Sequence, residues 1–217
     1  MNPATGRPAL ILASGEDVPA RPPCLEEDGV SPLVICADGG ARLARQWGLV
    51  PAVILGDQDS LDAETKAYWQ EQKIPFLRVP SVKDETDMDL AVEYALEKGA
   101  NSITLLGGWG SRIDHSLGNV ELLYRLAQKG VENMLLTKQH RLSAFCQEFR
   151  AEVSLGGFVS LVPLTSQVTG VRSNGLLYPL QGETLQKGST LTISNVAVAR
   201  DIVVEIKAGV LLVILEQ

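Results

Sequence analysis

The sequence predicts an α/β chain in which a parallel sheet flanked by helices is followed by a smaller all-β sandwich. Up to Thr137, short apolar runs alternate with helix-like segments about five times, which is typical of a parallel sheet with helices on both faces. After His140, the apolar runs become short and β-branched, and glycine-containing turns recur. We therefore place a boundary near residues 138–142 and expect an α/β domain at 1–139 and a β-sandwich domain at 140–217.

The order of elements follows from the apolar runs and from the residues that interrupt them. Short apolar runs predict strands of the first half at 9–13, 33–37, 52–55, 74–79, 102–106 and 132–137. Helical patterns lie between them at 42–47 and 62–72, before Lys98-Gly99, and at 116–128. In the second half, the candidate strand runs are 158–162, 176–180, 190–193, 197–204 and 210–215.

Composition limits the possible functions. The net charge is -7 and the pI is near 4.9, which argues against duplex nucleic acid as the main partner because phosphate binding needs a basic surface. The sequence has no apolar run of about 18 residues, so no membrane helix is predicted. The apolar stretch near the N-terminus is not preceded by a basic region, so we expect no signal peptide and a cytoplasmic protein. The three cysteines show no metal-ligand spacing and are expected to be reduced core thiols.

Carboxylates recur at the predicted junctions between strand and helix. Asp57 and Asp59 follow the run 52–55, Asp84 and Asp87 precede the third helix, and Asp114 follows the strand at 102–106. A single pair would fit a polar turn in which Asp59 only caps the next helix, but the recurrence favours a site at the carboxyl ends of the strands. Converging carboxylates repel one another unless a divalent cation neutralises them, and magnesium prefers oxygen ligands.

Glycines and an arginine supply the other parts of a phosphate site. Asp38-Gly39-Gly40 lies at a strand-to-helix turn, where amide groups can face a ligand, although a tight turn explains it equally well. Arg112 follows a glycine-rich segment and suits bidentate phosphate recognition. These parts indicate phosphoryl-type transfer, and the sequence contains neither a Walker-type loop nor a kinase catalytic loop.

Taken together, these motifs closely resemble those of the thiamine pyrophosphokinase family, in order and spacing as well as in residue type. In the first half, the resemblance rests on Ala37-Asp38-Gly39-Gly40-Ala41, Gly56-Asp57-Gln58-Asp59-Ser60, Asp84-Glu85-Thr86-Asp87 and the segment 107–115. In the second half, it rests on the segment 174–180 and Ile193-Ser194-Asn195. The resemblance covers roughly residues 33 to 217.

The resemblance implies a homodimer that transfers pyrophosphate from ATP to the hydroxyl of thiamine with Mg²⁺, releasing AMP. It makes Asp57, Asp59 and Asp87 the metal and catalytic acids, and it adds Arg112 and Asp114 as a catalytic pair. The expected nucleotide-binding residues are Asp38, Gly39, Gly40, Asp84, Thr86, Gly108, Arg112 and His115. Ser194 and Asn195 match a thiamine-binding turn that the partner subunit contributes.

Some roles stay open at this point. The general base is Asp59 or Asp87, and His115 is either a further candidate or a helix-N-terminal histidine in a polar crevice. In some family members, a second-domain tryptophan contacts thiamine, whereas the tryptophans of this chain are all in its first half. The alternative functions are a pyrophosphokinase acting on a pterin alcohol, against which Ser194-Asn195 argues, and a non-catalytic nucleotide-binding sensor.

Overall fold

A computed structural model describes residues 6–21, 31–56, 61–78 and 85–217. The chain forms two compact units, one comprising Met1–Val120 with Leu135–Thr137 and the other Glu121–Met134 with Lys138–Gln217. The predicted class, a parallel α/β part followed by an all-β sandwich, is confirmed. The second unit includes residues 121–134, which precede the predicted boundary, and a division at 139/140 stays a prediction.

Among the described residues of the first unit, five parallel strands form a sheet in the order β5-β1-β2-β3-β4. Their bounds are β1 Arg7–Leu12, β2 Leu33–Ala37, β3 Val53–Gly56, β4 Phe76–Arg78 and β5 Ala100–Leu106. All of β2 and β3 is buried, as expected for parallel strands covered on both faces. The chain runs from β1 to β4 on one side of β1 and then returns to place β5 on the other side, so the direction of winding changes between β1 and β5.

In the described part of the chain, four helices accompany these strands: α1 Gly40–Trp47, α2 Ala63–Glu71, α3 Asp87–Glu97 and α4 Ile113–Gln128. The cap of α2 is Asp62, whose carboxylate accepts a hydrogen bond from the Thr65 amide, so the interpretation in which Asp59 only caps this helix is wrong. Helix α4 begins at Ile113 rather than at the predicted residue 116, which puts Asp114 in its first turn, where a carboxylate complements the helix dipole. None of the described helices combines the length and apolarity needed to cross a membrane.

The second unit is a sandwich of antiparallel strands. One layer has the order β12-β9-β14-β7, and the other has the order β11-β10-β13-β8. Buried residues from both layers form one apolar core, including Val159, Leu161, Val168, Val204 and Val213. The strands are β7 His140–Phe145, β8 Glu148–Glu152, β9 Phe158–Pro163, β10 Gln167–Asn174, β11 Gln181–Gln186, β12 Asn195–Val196, β13 Asp201–Glu205 and β14 Leu211–Glu216. Strand β6, Glu132–Leu136, is divided between the two units.

Two predicted strands of the second half are wrong. Residues 176–180 connect β10 to β11, and residues 190–193 form a turn closed by a hydrogen bond from the Ile193 amide to the Thr190 carbonyl. In and next to the segment 176–180, Gly175 has a φ of 84° and Pro179 lacks an amide hydrogen. A regular ladder of backbone hydrogen bonds therefore cannot continue through this segment. The segment is apolar because part of it packs into the core through buried Leu176, not because it is a strand.

Candidate functional site

Strand register aligns the predicted site motifs of the first unit at one edge of the sheet. Leu12 lies opposite both Cys36 and Leu106, and Ala37 lies opposite Leu55. The residues that follow these strand ends therefore meet at the carboxyl edge. The point between β1 and β5, where the winding direction changes, is where open α/β sheets bind ligands.

Asp38 occupies a strained and enclosed position at the end of β2. Its φ is 45°, which is uncommon for a residue other than glycine, and its side chain is only 8% exposed. Its amide donates to the Leu55 carbonyl at 2.7 Å, and a Cβ built on Gly56 would lie 3.0 Å from the Asp38 Cβ. Asp38 is therefore held beside the residue that immediately precedes Asp57. Strain of this kind, imposed by the surrounding structure, is typical of functional sites.

Close backbone packing fixes the start of α1. A Cβ on Gly40 would collide with the Leu12 carbonyl oxygen, so only glycine allows α1 to begin this near to β1. The buried indole of Trp69 in α2 donates to the Ala41 carbonyl at 3.0 Å and holds the first turn from the other side. The turn Asp38-Gly39-Gly40 is thus a rigid part of the carboxyl edge.

The loops after β1 and β5 touch through their backbones. The Gly15 amide donates to the Gly107 carbonyl at 3.0 Å, and the Ala13 amide donates to the Leu106 carbonyl at 2.8 Å. A Cβ on Gly15 would collide with the Gly107 carbonyl oxygen, and one on Gly107 would collide with the Ala13 carbonyl oxygen. Ser14-Gly15 is not among the predicted site residues, although a Ser-Gly pair directly after the first predicted strand indicates a turn at the carboxyl edge of the sheet.

The first turn of α3 contacts the glycine-rich loop, residues 107–112, through Met88. Thr86 caps the helix by accepting the Asp89 amide at 3.2 Å, and Asp87 is the first helical residue and is half-buried. A Cβ built on Gly108 would lie 3.3 Å from the Met88 Cε. The structure therefore brings the side chain of Met88, the residue after Asp87, against Gly108.

Arg112 is engaged with Asp114 through both prongs of its guanidinium. Nε donates to Oδ1 at 2.9 Å and Nη2 donates to Oδ2 at 2.7 Å, on an exposed surface. These hydrogen bonds lower the pKa of Asp114 well below its usual range and raise the pKa of Arg112, so both groups stay charged. The next residue, His115, is exposed in the first turn of α4. A phosphate would have to share this fork with Asp114 or displace it.

The carboxylates expected to hold a metal are only partly within the described chain. Asp57, Asp59 and Asp84 lie outside the described residues. Within the described ranges, no group of three or more His, Cys, Asp and Glu side chains converges on one point. Asp38 and Asp87, which do lie at this edge, offer the carboxylate oxygens that suit a hard cation such as magnesium.

In the second unit, the side chain of Asn195 is hydrogen-bonded to the backbone of Tyr178 and Val196. Its buried side chain donates to the Tyr178 carbonyl at 2.8 Å, and its Oδ1 accepts the amides of Tyr178 at 3.1 Å and Val196 at 2.9 Å. It therefore pairs with Tyr178 much as a neighbouring strand would. Ser194 is exposed in a left-handed conformation with a φ of 58°, and its amide donates to the Ser160 Oγ at 2.9 Å.

An exposed apolar surface surrounds this turn. Tyr178 is 68% exposed although its backbone is held on both sides by Asn195. Here, the apolar surface means the exposed residues Tyr178, Phe158, Leu177, Ile193 and Val198, of which Phe158 and Leu177 both meet Val196 through the backbone. Tyr178 is not among the predicted site residues; the signal that could have identified it is an aromatic residue next to a proline, Tyr178-Pro179, within the segment 174–180.

Comparison with known proteins gives consistent matches in both halves. The family model for the thiamin pyrophosphokinase catalytic domain matches residues 29–135, and the model for the thiamin pyrophosphokinase vitamin B1 binding domain matches residues 147–211. The thiamine pyrophosphokinase of Bacillus subtilis is 34% identical over 166 residues, covering 75% of this chain and 77% of that protein. Thiamine pyrophosphokinase 1 of Arabidopsis thaliana is 26% identical and covers 93% of this chain and 84% of its own length.

Solved structures agree with these matches. The crystal structure of the Bacillus subtilis thiamine pyrophosphokinase superimposes with a TM-score of 0.88 at 28% identity, over 97% of this chain and 99% of the other. The crystal structure of thiamin pyrophosphokinase from Geobacillus thermodenitrificans gives a TM-score of 0.83 at 27% identity, over 97% of each chain.

Proposed function

Because this chain belongs to the thiamine pyrophosphokinase family, we propose that it transfers pyrophosphate from ATP to the hydroxyl of thiamine, giving thiamine diphosphate and AMP. The observation that carries the proposal is the pair of domain matches. The catalytic match covers the acidic and arginine motifs, and the vitamin B1 binding match covers Tyr178, Ser194 and Asn195. The pterin-alcohol kinase and the non-catalytic sensor gain no comparable support.

In this proposal, ATP binds at the carboxyl edge of the first unit. The backbone of Gly39, Gly40 and Gly108 comes close to the phosphates, and Arg112 clamps them with its fork, aided by Asp84, Thr86 and His115. The support is geometric, since β1, β2 and β5 end in register here and the glycines exclude side chains from the edge. Asp114 holds the Arg112 fork extended before the nucleotide arrives.

Asp57, Asp59 and Asp87 would hold the magnesium ion. When bound, magnesium would withdraw charge from the β-phosphate that is attacked. Either Asp59 or Asp87 would accept the proton of the thiamine hydroxyl, because a primary alcohol is a poor nucleophile at neutral pH. Asp87 is suited to this role by its half-buried position at the start of α3.

Thiamine would lie against the apolar surface of the second unit. An exposed aromatic ring suits a flat, cationic ligand, and Tyr178 presents one from a backbone that Asn195 fixes. Ser194 offers an exposed hydroxyl beside it, while Asn195 acts by positioning Tyr178. Because the surface is apolar and exposed, we also propose that the enzyme works as a homodimer in which one subunit's thiamine-binding turn completes the partner's acidic site.

The direct test is an assay of AMP release by the purified protein with ATP and Mg²⁺. We expect release that depends on thiamine, none with a pterin alcohol, and a loss of several orders of magnitude in Asp57→Asn and Asp59→Asn. Nucleotide binding without thiamine-dependent AMP release would overturn the proposal in favour of the sensor.

A further inference from the structure

Two buried polar side chains of α4 have no role in the reaction described so far. Ser116 is 3% exposed and Asn119 is 6% exposed, and their spacing of three residues puts them on one face of the helix. The same helix continues with buried Leu122 and Leu123. Burying a hydroxyl and an amide costs free energy unless both are hydrogen-bonded, so their partners indicate what they do.

Their partners are alternate residues of the glycine-rich loop, defined here as residues 107–112. Asn119 Nδ2 donates to the Gly108 carbonyl at 2.6 Å. The Gly110 amide donates to Ser116 Oγ at 3.2 Å, and Ser116 Oγ donates to the Arg112 carbonyl at 3.1 Å. Gly108 and Gly110 are therefore tied to one face of α4. The Arg112 carbonyl, which already accepts the Ser116 amide at 3.0 Å at the start of the helix, accepts the Ser116 hydroxyl as well.

The loop needs such ties because of its composition. Three of its six residues are glycines, which lose more conformational freedom on ordering than any other residue. Gly108 also approaches Asn119 closely, since a Cβ there would lie 3.0 Å from the Asn119 Nδ2. The side chain of Asn119 thus fills the space that a larger residue at 108 would take.

We propose that Ser116 and Asn119 are positioning residues that hold the glycine-rich loop in its nucleotide-binding shape. The inference rests on the proposed function, in which Gly108 and Arg112 meet the phosphates of ATP. The Ser116 hydroxyl links the Gly110 amide to the Arg112 carbonyl and so fixes the end of the loop from which the guanidinium projects, and Asn119 fixes the loop at Gly108. Neither residue touches the nucleotide.

The test uses Asn119→Ala, Ser116→Ala and Ser116→Thr, the last of which keeps the hydroxyl. Asn133→Ala is the matched control, because Asn133 is also a buried asparagine that exchanges hydrogen bonds with a backbone, at 2.9 Å to both the amide and the carbonyl of Ala144, but in the second unit. Binding of α,β-methylene-ATP with Mg²⁺ is measured by calorimetry, since this analogue cannot be cleaved at the bond that the reaction breaks. Amide exchange in residues 107–112 and KM values for both substrates are measured alongside.

We expect Asn119→Ala and Ser116→Ala each to weaken analogue binding about tenfold and to speed loop exchange by a similar factor, the scale of one lost buried hydrogen bond. The KM for thiamine should stay within about twofold, because its proposed contacts lie in the second unit. Ser116→Thr should bind the analogue as tightly as the wild type does. Asn133→Ala should lower the melting temperature without weakening analogue binding.

The inference is overturned if Asn119→Ala and Ser116→Ala bind the analogue as the wild type does, or if Asn133→Ala weakens binding as much as they do. If one variant fails to fold, the other decides the question with the same measurements. Failure of the proposed function looks different, because the wild type would then release no AMP with thiamine while the pattern of analogue affinities could still hold.

Discussion

At the residue scale, the buried side chain of Asn195 holds the exposed turn of the second unit. The sequence predicts that Ser194 and Asn195 bind thiamine. In the structure, the side-chain amide of Asn195 forms hydrogen bonds with the backbone of Tyr178. That partner is 17 residues away, so no local pattern could reveal it. Asp38 and Arg112 were identified from motif chemistry, whereas the pairing of Arg112 with Asp114 emerged only with geometry.

Tyr178→Ala should raise the KM for thiamine about tenfold, because an aromatic ring under a cationic ligand contributes on the order of 1 kcal/mol or more. The KM for ATP should not change. Tyr178→Phe keeps the ring and should stay close to the wild type. Steady-state kinetics with each substrate varied in turn measures both values, and an unchanged thiamine KM in Tyr178→Ala would remove the residue from the thiamine site.

Arg112→Lys should lower kcat/KM for ATP substantially, because lysine keeps the charge but cannot form the two-pronged contact. The matched control is Arg150→Lys, which alters a similar exposed fork to Glu148 in the second unit, at 2.6 and 2.7 Å. Kinetics at fixed, saturating thiamine compares the two variants. Equal effects would show that Arg112 has no special part in catalysis.

The same pair predicts a pH response. The pKa of Asp114 is depressed in the folded protein, so its contribution is present above the usual carboxyl pKa and is lost only as the pH falls through the lower, folded value. The ratio of ATP KM between wild type and Asp114→Asn should therefore stay constant from about pH 4 to 8. A change of this ratio between pH 4 and 5, on the scale of an ordinary carboxyl titration (pKa about 3.9), would show that Arg112 does not hold Asp114 ionised.

At the element scale, the strands of the first half were predictable because parallel buried strands are continuous apolar runs. The start of α4 was predicted three residues late, since Ile113 is exposed and extends the helix beyond its apolar face. In the second half, the apolar run at 176–180 predicts a strand, but the structure has a connecting segment there, as Gly175 and Pro179 favour. Apolar patterns locate buried segments better than they distinguish a strand from a packed loop.

Two glycines that both belong to helices should respond oppositely to alanine. Gly40→Ala places a Cβ against the Leu12 carbonyl and should cost several kcal/mol of unfolding free energy, as overpacking against backbone does. Gly118→Ala meets nothing within 4 Å and should stabilise α4 by about 0.5–1 kcal/mol. Denaturant unfolding of both variants checks the signs, and a tolerated Gly40→Ala would mean that α1 can move away from β1.

At the whole-molecule scale, the sequence predicted an α/β half and a sandwich, because the change of pattern after His140 reflects a change of architecture. It could not predict that one compact unit would take residues 121–134 and the other 135–137, since contacts rather than sequence order define a unit. Of the predicted acids, Asp87 and Asp114 lie within the described residues, and Asp57, Asp59 and Asp84 lie outside them.

The proposed homodimer predicts complementation between inactive subunits. Mixing Asp57→Asn with Asn195→Ala, each expected to be nearly inactive as a homodimer, should recover up to about a quarter of wild-type activity, because half of the dimers are mixed and each assembles one intact site. A tagged pull-down first establishes that subunits exchange. Proven exchange without any recovery would mean that each chain builds its own site, and would leave the nucleotide chemistry of the first unit unaffected.

The contact between Gly15 and Gly107 has a consequence for how this site can evolve. Where β1 and β5 end, main-chain atoms from two distant segments meet with no room for a side chain on either. The main chain where β1 and β5 end thus presents peptide groups, whose hydrogen-bonding character is the same whatever residues surround them. Substitution elsewhere can change the side chains around this edge, but the spacing of the two backbone segments is inherited with the fold and cannot be adjusted one residue at a time.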